Sequence, residues 1–231
     1  MKIAGFARNS LVDYPGHVVS TIFTQGCNLS CPYCHNPELI PKGGNGMIAE
    51  KELFYFFEKH RKMLDGVCIT GGEPTLQMDL EEFLMKVKAL GLKVKLDTNG
   101  TNPEVIEDLI AKKLVDYIAM DIKASAKGYA KIGVTGDVLE SIFRSIKIIM
   151  GSGIGYEFRS TVVPGMLDIE GIREIAERIE GADSYCIQQF VAGTKIKDET
   201  FKGIKPYSPE ELFEMRDAAS SKVRKCLIRN L

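Results

Sequence analysis

Predicted strands and helices alternate along this sequence, and the alternation constrains the fold more than any other feature. A short N-terminal β-hairpin is predicted at about 2–24, with a turn at Pro15-Gly16. After the hairpin, short apolar runs alternate with segments of helical periodicity. The later strands are predicted at 67–70, 93–97, 116–121, 154–163, 184–190 and 225–228, and the helices at 49–61, 79–90, 103–112, 137–150, 169–179 and 209–221.

This order of elements predicts a parallel sheet with right-handed crossovers. Six strand–helix units fit into the 231 residues, counting the unit that begins at residue 17, whereas a closed barrel of eight units needs about 250 residues. We therefore expect an α/β fold, an open partial (β/α)6 barrel of the TIM type, with a doubly wound open sheet as the alternative. No linker marks a second domain, so residues 1–231 are predicted to form a single domain. Asn102 and Ser208 are expected to be N-caps.

The loop at 26–37 follows the second predicted strand and contains Cys27, Cys31 and Cys34. Thiolates are soft ligands, and this spacing lets one short loop bind a single inorganic centre. Zinc would need a fourth ligand, and His35, directly after Cys34, is poorly placed to supply it. We expect an iron–sulfur cluster held by three cysteines, which leaves one iron open to another ligand.

Charge and hydropathy exclude several classes of protein. The 30 Lys and Arg residues nearly balance the 31 Asp and Glu residues, which argues against a general nucleic-acid or membrane-surface binder. No apolar run approaches the roughly 20 residues that span a bilayer. Because Arg8 and Asp13 come too early for a secretion signal, we expect a cytoplasmic protein with reduced thiols.

The remaining cysteines, in predicted strands, are expected to be buried hydrophobic residues. They are Cys68, Cys186 and Cys226.

Unusual residues end most of the predicted parallel strands, and one lies within the fifth. In parallel α/β folds these strand ends meet at one rim, where reactive groups gather. A glutamate there can accept hydrogen bonds from an ammonium group, an arginine can hold a carboxylate in its fork, and a lysine can hold one as a point charge. The rim therefore suits an amino-acid-like ligand. Its residues are Cys27, Cys31, Cys34, Gly71-Gly72-Glu73-Pro74, Asp97-Thr98-Asn99-Gly100, Asp121-Ile122-Lys123, Arg159 and Gln188-Gln189-Phe190.

These motifs resemble those of the radical S-adenosylmethionine superfamily. The three-cysteine loop with Tyr33 and His35 looks like its signature, and the glycine pair with Glu73 and the strand ends at Asp97 and Asp121 are similar to its later motifs. The resemblance is narrower for the glycyl-radical-enzyme activases, above all the activating protein of anaerobic ribonucleoside-triphosphate reductase. It rests on Cys34-His35-Asn36-Pro37, Asp97-Thr98-Asn99-Gly100, Asp121-Ile122-Lys123 and Arg159 through Val163-Pro164-Gly165.

The resemblance implies a mechanism. Cys27, Cys31 and Cys34 would hold a [4Fe–4S] cluster whose open iron binds the amino and carboxylate groups of S-adenosylmethionine. One electron, from a low-potential donor such as flavodoxin or ferredoxin, would split a carbon–sulfur bond to give methionine and a 5′-deoxyadenosyl radical. That radical would take a hydrogen atom from a glycine of a partner enzyme, here anaerobic ribonucleotide reductase. The residues implied to contact S-adenosylmethionine are Tyr33, Cys34, His35, Gly72, Glu73, Asp121, Ile122, Lys123 and Arg159.

The resemblance also implies a monovalent cation near the cofactor, bound by hard oxygen ligands. Val191 stands where some activases have a histidine, which counts against a direct transfer of the pyruvate formate-lyase activase assignment. The segments 42–46 and 124–135 are expected to be mobile surface loops, and the second is expected to order when the partner's glycine loop enters. The implied cation ligands are Asp97, Thr98, the Ala119 carbonyl and Asp121.

Two other functions fit the sequence. One is a radical S-adenosylmethionine enzyme that acts on a small molecule, such as a 7-carboxy-7-deazaguanine synthase-like protein, since those enzymes are similarly short and carry similar glycine and Thr-Asn-Gly motifs. The other is a metal-binding module without catalytic activity.

Overall fold

Residues 1–41, 43, 47–193 and 195–231 are described by the computed structural model. The segment 42–46, predicted to be a mobile loop, therefore lies outside the described residues apart from Gly43. Eight strands form one sheet, and their spatial order follows the chain. The strands are β1 (Ile3–Ser10), β2 (Val19–Thr24), β3 (Gly66–Gly71), β4 (Lys93–Thr98), β5 (Tyr117–Asp121), β6 (Gly155–Val162), β7 (Tyr185–Gln189) and β8 (Cys226–Arg229).

The sheet is a barrel that does not close. β1 pairs with β2 in antiparallel orientation, and every later pair of neighbours is parallel. β1 and β8 are the two edges of the described sheet. A doubly wound sheet would reverse its strand order at a switch point, and this sheet has no reversal. The predicted open, partial barrel is confirmed.

The helices cover the outer face of the sheet, and six of them lie within one residue of their predicted bounds. On α6, Ile172, Ile175 and Ala176 recur at helical spacing and are buried. They belong to the same apolar core as Phe158 of β6 and Ile187 of β7. The helices are α1 (Glu50–His60), α2 (Leu80–Ala89), α3 (Pro103–Ala111), α4 (Ala126–Tyr129), α5 (Gly136–Met150), α6 (Ile169–Arg178) and α7 (Pro209–Ser220).

The opposite face of the sheet, which lines the barrel interior, carries charged side chains beside a small apolar cluster that includes Cys68 and Tyr117. Because successive side chains of a strand point to opposite faces, the charged residues of β4 and β6 alternate with buried apolar ones. A closed barrel of this type usually fills its interior with branched apolar side chains. Here the interior carries ionised groups instead, and they lie just below the strand ends. They include Lys95, Asp97, Asp121, Glu157 and Arg159.

The segment 124–135 differs from the prediction of a mobile polar loop. It contains α4 and a short 3-10 helix at Ala130–Ile132, and Tyr129 is fully buried. The hydroxyl of Tyr129 accepts a hydrogen bond from the backbone N–H of Lys123 at 3.0 Å. The lysines and glycines of this short segment obscure the buried positions, so no periodicity is visible in the sequence.

One of the two predicted helix caps is confirmed. Ser208 accepts from the backbone N–H of Glu211, and the Glu211 side chain accepts from the Ser208 backbone, which completes a capping box at α7. Asn102 occupies the N-cap position of α3, but its side chain makes no capping hydrogen bond. It donates instead to Thr75 Oγ1 at 2.8 Å, because the neighbouring strand end brings that hydroxyl within reach.

Candidate active site

A cavity of about 240 Å³ opens at the carboxyl ends of the parallel strands, where the sequence predicted the reactive rim. It contains residues from the cysteine loop and from the ends of β3, β4 and β5. Four predicted site residues do not line it, namely Glu73, Ala119, Ile122 and Arg159. The predicted residues that do line it are Cys27, Cys31, Tyr33, Cys34, His35, Gly72, Asp97, Thr98, Asp121 and Lys123.

The cysteine loop is fixed at its start by a close approach between two glycines. Gly26 has φ of 101°, a left-handed conformation that favours glycine. Its carbonyl accepts from the backbone N–H of Glu73 at 2.8 Å, and a Cβ on Gly72 would overlap that carbonyl oxygen. The glycine pair after β3 therefore serves close packing against the cysteine loop as well as access to the cavity.

The three thiols of this loop are free, and all three line the cavity. Burial is the main cause that raises the pKa of the Cys27 and Cys31 thiols. Two N–H groups point at the Cys27 sulfur, from the Leu29 backbone at 3.4 Å and from Asn99 Nδ2 at 4.0 Å. These donors suit a sulfur atom that carries negative charge.

The donor set fits a cluster better than a single ion. Among the described residues, no group of three or more His, Cys, Asp or Glu side chains is arranged to hold one metal ion. A cube of iron and sulfur separates its thiolates more widely than one tetrahedral ion does, so three thiols that face one cavity without forming a single-ion site match a cluster. The residues present therefore fit a [4Fe–4S] cluster with three cysteine ligands.

Glu73 is buried and ties two strand ends together. Its Oε1 atom accepts from the Thr75 hydroxyl at 2.6 Å and from Thr98 Oγ1 at 2.7 Å, and its Oε2 atom accepts from the Asn99 backbone at 2.7 Å. Burial raises the pKa of the Glu73 carboxyl, although these hydrogen bonds oppose that effect. Both oxygens of the carboxylate are therefore engaged in hydrogen bonds that hold the ends of β3 and β4 beside each other.

A network of charged side chains lies at the base of the cavity, and Asp97, Asp121 and Lys123 of this network line it. Arg159 of β6 donates to Asp121 Oδ1 through Nε at 2.8 Å and to Asp97 Oδ2 through Nη1 at 3.1 Å. Lys123 Nζ donates to Asp121 Oδ2 at 3.0 Å, and Lys95 Nζ donates to Asp97 Oδ1. Burial by itself would raise the pKa of both carboxyls. Arg159, with Lys95 at Asp97 and Lys123 at Asp121, outweighs it and holds both values below the usual range.

Two predicted residues of the cysteine loop, Tyr33 and His35, line the cavity and also form hydrogen bonds with backbone carbonyls elsewhere in the chain. The Tyr33 hydroxyl donates to the Lys123 carbonyl at 3.2 Å. His35 Nε2 donates to the Val191 carbonyl at 2.8 Å, and its ring lies 5.6 Å from that of Phe190. Val191 thus positions His35 through its backbone carbonyl.

The sequence placed Asn99 at the rim, whereas Asn28 and Lys197 were not among the predicted site residues. Asn99 donates to Asn28 Oδ1 at 3.0 Å, and Asn28 donates to Thr101 Oγ1 at 2.8 Å, so these amides join the cysteine loop to the segment after β4. Lys197 donates through its backbone N–H to the Cys34 carbonyl at 3.1 Å. The Asp-Thr-Asn-Gly motif pointed to Asn99, but no local signal pointed to Lys197.

The two remaining buried cysteines lie away from the cavity. Cys68 and Cys186 are fully buried in β3 and β7, as predicted, whereas Cys226 is only half-buried in β8, so its predicted burial is wrong. None of the three lines the cavity.

Comparison with known proteins places the chain in a family. The radical SAM superfamily matches residues 21–179. A Methanocaldococcus jannaschii protein, provisionally named a glycyl-radical enzyme activating enzyme, is 36% identical over 99% of this chain and 96% of its own length. The pyruvate formate-lyase-activating enzyme of Clostridium pasteurianum is 32% identical over 78% of this chain and 76% of its own length.

A solved structure supports the fold. Streptococcus suis SuiB, in a crystal structure with the precursor peptide SuiA, superposes with a TM-score of 0.68 over 90% of this chain and 48% of the SuiB chain, at 17% identity. In the part of the chain that the structure describes, no helix is both long and apolar enough to cross a membrane. On the sequence matches, the chain belongs to the radical SAM superfamily and, within it, to the glycyl-radical enzyme activating enzymes.

Proposed function

We propose that this chain reductively cleaves S-adenosylmethionine at a [4Fe–4S] cluster and generates a glycyl radical on anaerobic ribonucleoside-triphosphate reductase. The observation that carries the proposal is the placement of three free thiols from one loop in a cavity that also contains Asp121 and Lys123. The family supports the activase chemistry. The reductase as partner rests on the motif resemblance and on Val191 at the position where some activases have a histidine.

Cys27, Cys31 and Cys34 would hold the cluster, and their number would leave one iron without a protein ligand, which the amino and carboxylate groups of S-adenosylmethionine could bind. When bound, the cluster supplies the electron that splits a carbon–sulfur bond of the sulfonium. The protein binds and orients the reactants. A low-potential protein such as flavodoxin or ferredoxin would supply the electron.

The side chains of the rim divide into contacts and supports. Lys123 lines the cavity and has three donors, of which Asp121 takes one, so it can also bind the methionine carboxylate. Asp121 can accept from ribose hydroxyls. Glu73 and Arg159 do not line the cavity, and in this proposal they position Thr98, Asn99 and Asp121 rather than touching the cofactor.

Reconstitution under anoxic conditions tests the cluster. Wild-type protein supplied with iron and sulfide should develop visible charge-transfer absorbance and form 5′-deoxyadenosine from S-adenosylmethionine. Cys31→Ser should lose both the absorbance and the formation of 5′-deoxyadenosine. Loss of a residue that only supports a metal ligand typically lowers affinity or activity by about 10–100-fold, and loss of a ligand itself should lower the activity by more. Cys226→Ser is the matched control, because Cys226 lies outside the cavity, and it should behave as the wild type. Colourless wild-type protein, or full turnover by Cys31→Ser, would refute the proposal.

Electron paramagnetic resonance tests the partner. Loaded enzyme with S-adenosylmethionine and a reductant should produce a glycyl doublet on added anaerobic ribonucleotide reductase. A doublet that forms only on pyruvate formate-lyase would refute the reductase as the partner but would support the activase activity. Turnover of a small substrate without any doublet would favour the 7-carboxy-7-deazaguanine synthase-like alternative.

A further inference from the structure

Lys95 is a buried ammonium ion beneath the candidate site. It lies on β4, two residues before Asp97, so both side chains point into the barrel interior. Its exposed fraction is 1%, and lysine is almost never fully buried unless it is paired. Its partners are Asp97 Oδ1 and, at 3.7 Å, the sulfur of Cys68.

The carboxylates that the sequence assigned to a free cation already have cationic partners. Asp97 accepts from Lys95 on one oxygen and from Arg159 on the other. Asp121 accepts from Arg159 and Lys123, again one on each oxygen. Three side-chain cations therefore face two carboxylates.

The third predicted side-chain ligand is also engaged. Thr98 Oγ1 donates to Glu73 at 2.7 Å and accepts from the Gly100 backbone at 3.1 Å. Glu157, the next acidic group in the interior, pairs with Arg229 of β8 at 2.7 Å and offers no compensating free charge. A free cation at this place would add a fourth positive charge beside two carboxylates and would compete with Lys95, Arg159 and Lys123 for their oxygens.

We propose that the Lys95 ammonium is the built-in counter-cation of Asp97 and takes the place of a free monovalent ion beneath the S-adenosylmethionine site. The tethered ammonium keeps Asp97 and Arg159 in place, and Arg159 in turn positions Asp121 at the cavity. This chain therefore needs no added Na⁺ or K⁺ for cofactor binding. The proposal rests on the proposed function only where S-adenosylmethionine binding is the readout.

A salt series at constant ionic strength tests the proposal. Wild type, Lys95→Ala and Lys93→Ala are compared in choline, sodium, potassium and ammonium chloride. Lys93 is exposed on the same strand, near His17, and serves as the matched control. Thermal unfolding is measured on protein without cluster, and S-adenosylmethionine affinity is measured by calorimetry on loaded protein.

The expected results separate a counter-cation from a merely structural lysine. Wild type and Lys93→Ala should show the same affinity in all four salts. Lys95→Ala, which leaves space beside Asp97, should bind S-adenosylmethionine about tenfold more weakly in choline and recover in ammonium or potassium, within the usual range of coupling between sites. Its unfolding temperature without cluster should rise with the same cations, because an ion that binds only the folded state stabilises it.

Three outcomes would overturn the proposal. The first is wild-type protein whose affinity or unfolding temperature falls when choline replaces sodium and potassium. The second is Lys95→Ala with wild-type affinity and no response to any cation. The third is an affinity loss in Lys95→Ala that no cation restores. If Lys95→Ala does not fold, the wild-type salt series still decides. If the loaded protein does not bind S-adenosylmethionine, the proposed function fails, while thermal unfolding continues to test the counter-cation.

Discussion

Gly72 shows how one residue sets the position of the cysteine loop. Its missing side chain allows the end of β3 to lie against the Gly26 carbonyl, and Glu73 then donates its backbone N–H to that carbonyl. The same backbone lines the cavity. The glycine pair, which could have been an ordinary turn, is therefore required by the approach of two backbones.

Gly72→Ala is expected to destabilise the protein and to impair cluster assembly. The added Cβ overlaps the Gly26 carbonyl oxygen, so the loop must shift, and forced repacking of this kind typically costs about 1–3 kcal/mol. Urea unfolding measures the stability, and iron content after reconstitution measures the assembly. Gly203→Ala is the control, since a Cβ at Gly203 meets nothing within 4 Å. Wild-type stability and iron content in Gly72→Ala would contradict this account.

At the scale of elements, Arg159 joins three neighbouring strands. From β6 it reaches Asp121 of β5 and Asp97 of β4, two residues that line the cavity. The side chains of Arg159 and Asp97 are 12% and 13% exposed, so water screens this contact little. Breaking such a network by removing one partner leaves a buried charge uncompensated.

Arg159→Met is expected to lose about 3–5 kcal/mol of stability at about pH 7. The folded-state pKa of each carboxyl lies below its ordinary value of 3.8. Each group therefore contributes stability that is fully present above pH 3.8 and is lost progressively as the pH falls from there through the folded-state pKa. Arg159 is the largest cause that lowers both values, so its removal also removes much of this pH dependence. Urea unfolding at about pH 7 and about pH 3 should show the difference between variant and wild type narrowing in acid.

Arg144→Met provides the comparison for that experiment. Arg144 pairs with Glu104 on the surface, where the side chains are 50% and 69% exposed. Exposed pairs contribute about 1 kcal/mol or less, so this variant should stay close to the wild type at both pH values. An Arg159→Met deficit that stays constant from neutral to acid pH would show that the network does not act through the two carboxylates.

At the scale of the whole molecule, the connection after β7 closes the rim over the cysteine loop. We call residues 190–193 and 195–198 the clasp. Within it, the backbone N–H groups of Lys197 and Asp198 donate to the carbonyls of Cys34 and Pro32, at 3.1 and 2.9 Å. The Lys197 ammonium also donates to the Ser30 carbonyl at 3.2 Å. The last part of the barrel is thus attached to its first loop.

Cluster loading is expected to slow amide exchange in the clasp as well as in the cysteine loop. The amides of Lys197 and Asp198 exchange only when their bonds to the loop open, and ligation of the cysteines makes that opening rarer. Hydrogen exchange before and after anoxic reconstitution should show a decrease of about tenfold or more at both amides. The amides of Val12 and Asp13, which bond to Ser10 Oγ in the hairpin turn, should not change. Slower exchange in the loop alone would show that the clasp is not coupled to it.

The sequence by itself predicted the architecture and the edge of the sheet at which the candidate cavity lies. Apolar periodicity is a local property, so it predicted the six main helices within one residue and the order of the parallel strands. The grouping of Cys27, Cys31 and Cys34 could also be predicted from the sequence, because residues on one short loop lie near each other without help from distant elements. The prediction from apolar periodicity failed at 124–135, where the buried Tyr129 lies among polar residues and no helical periodicity is visible.

Only the tertiary structure decided what each rim residue touches. Glu73 carries a motif typical of a cofactor contact, but the ends of β3 and β4 enclose it and use both of its oxygens. Lys95 reads as an ordinary strand lysine until the barrel places it beside Asp97. The clasp joins residues about 165 positions apart in the sequence. These contacts depend on which face of a strand a side chain occupies and on where distant strands end, and neither is encoded in a local pattern.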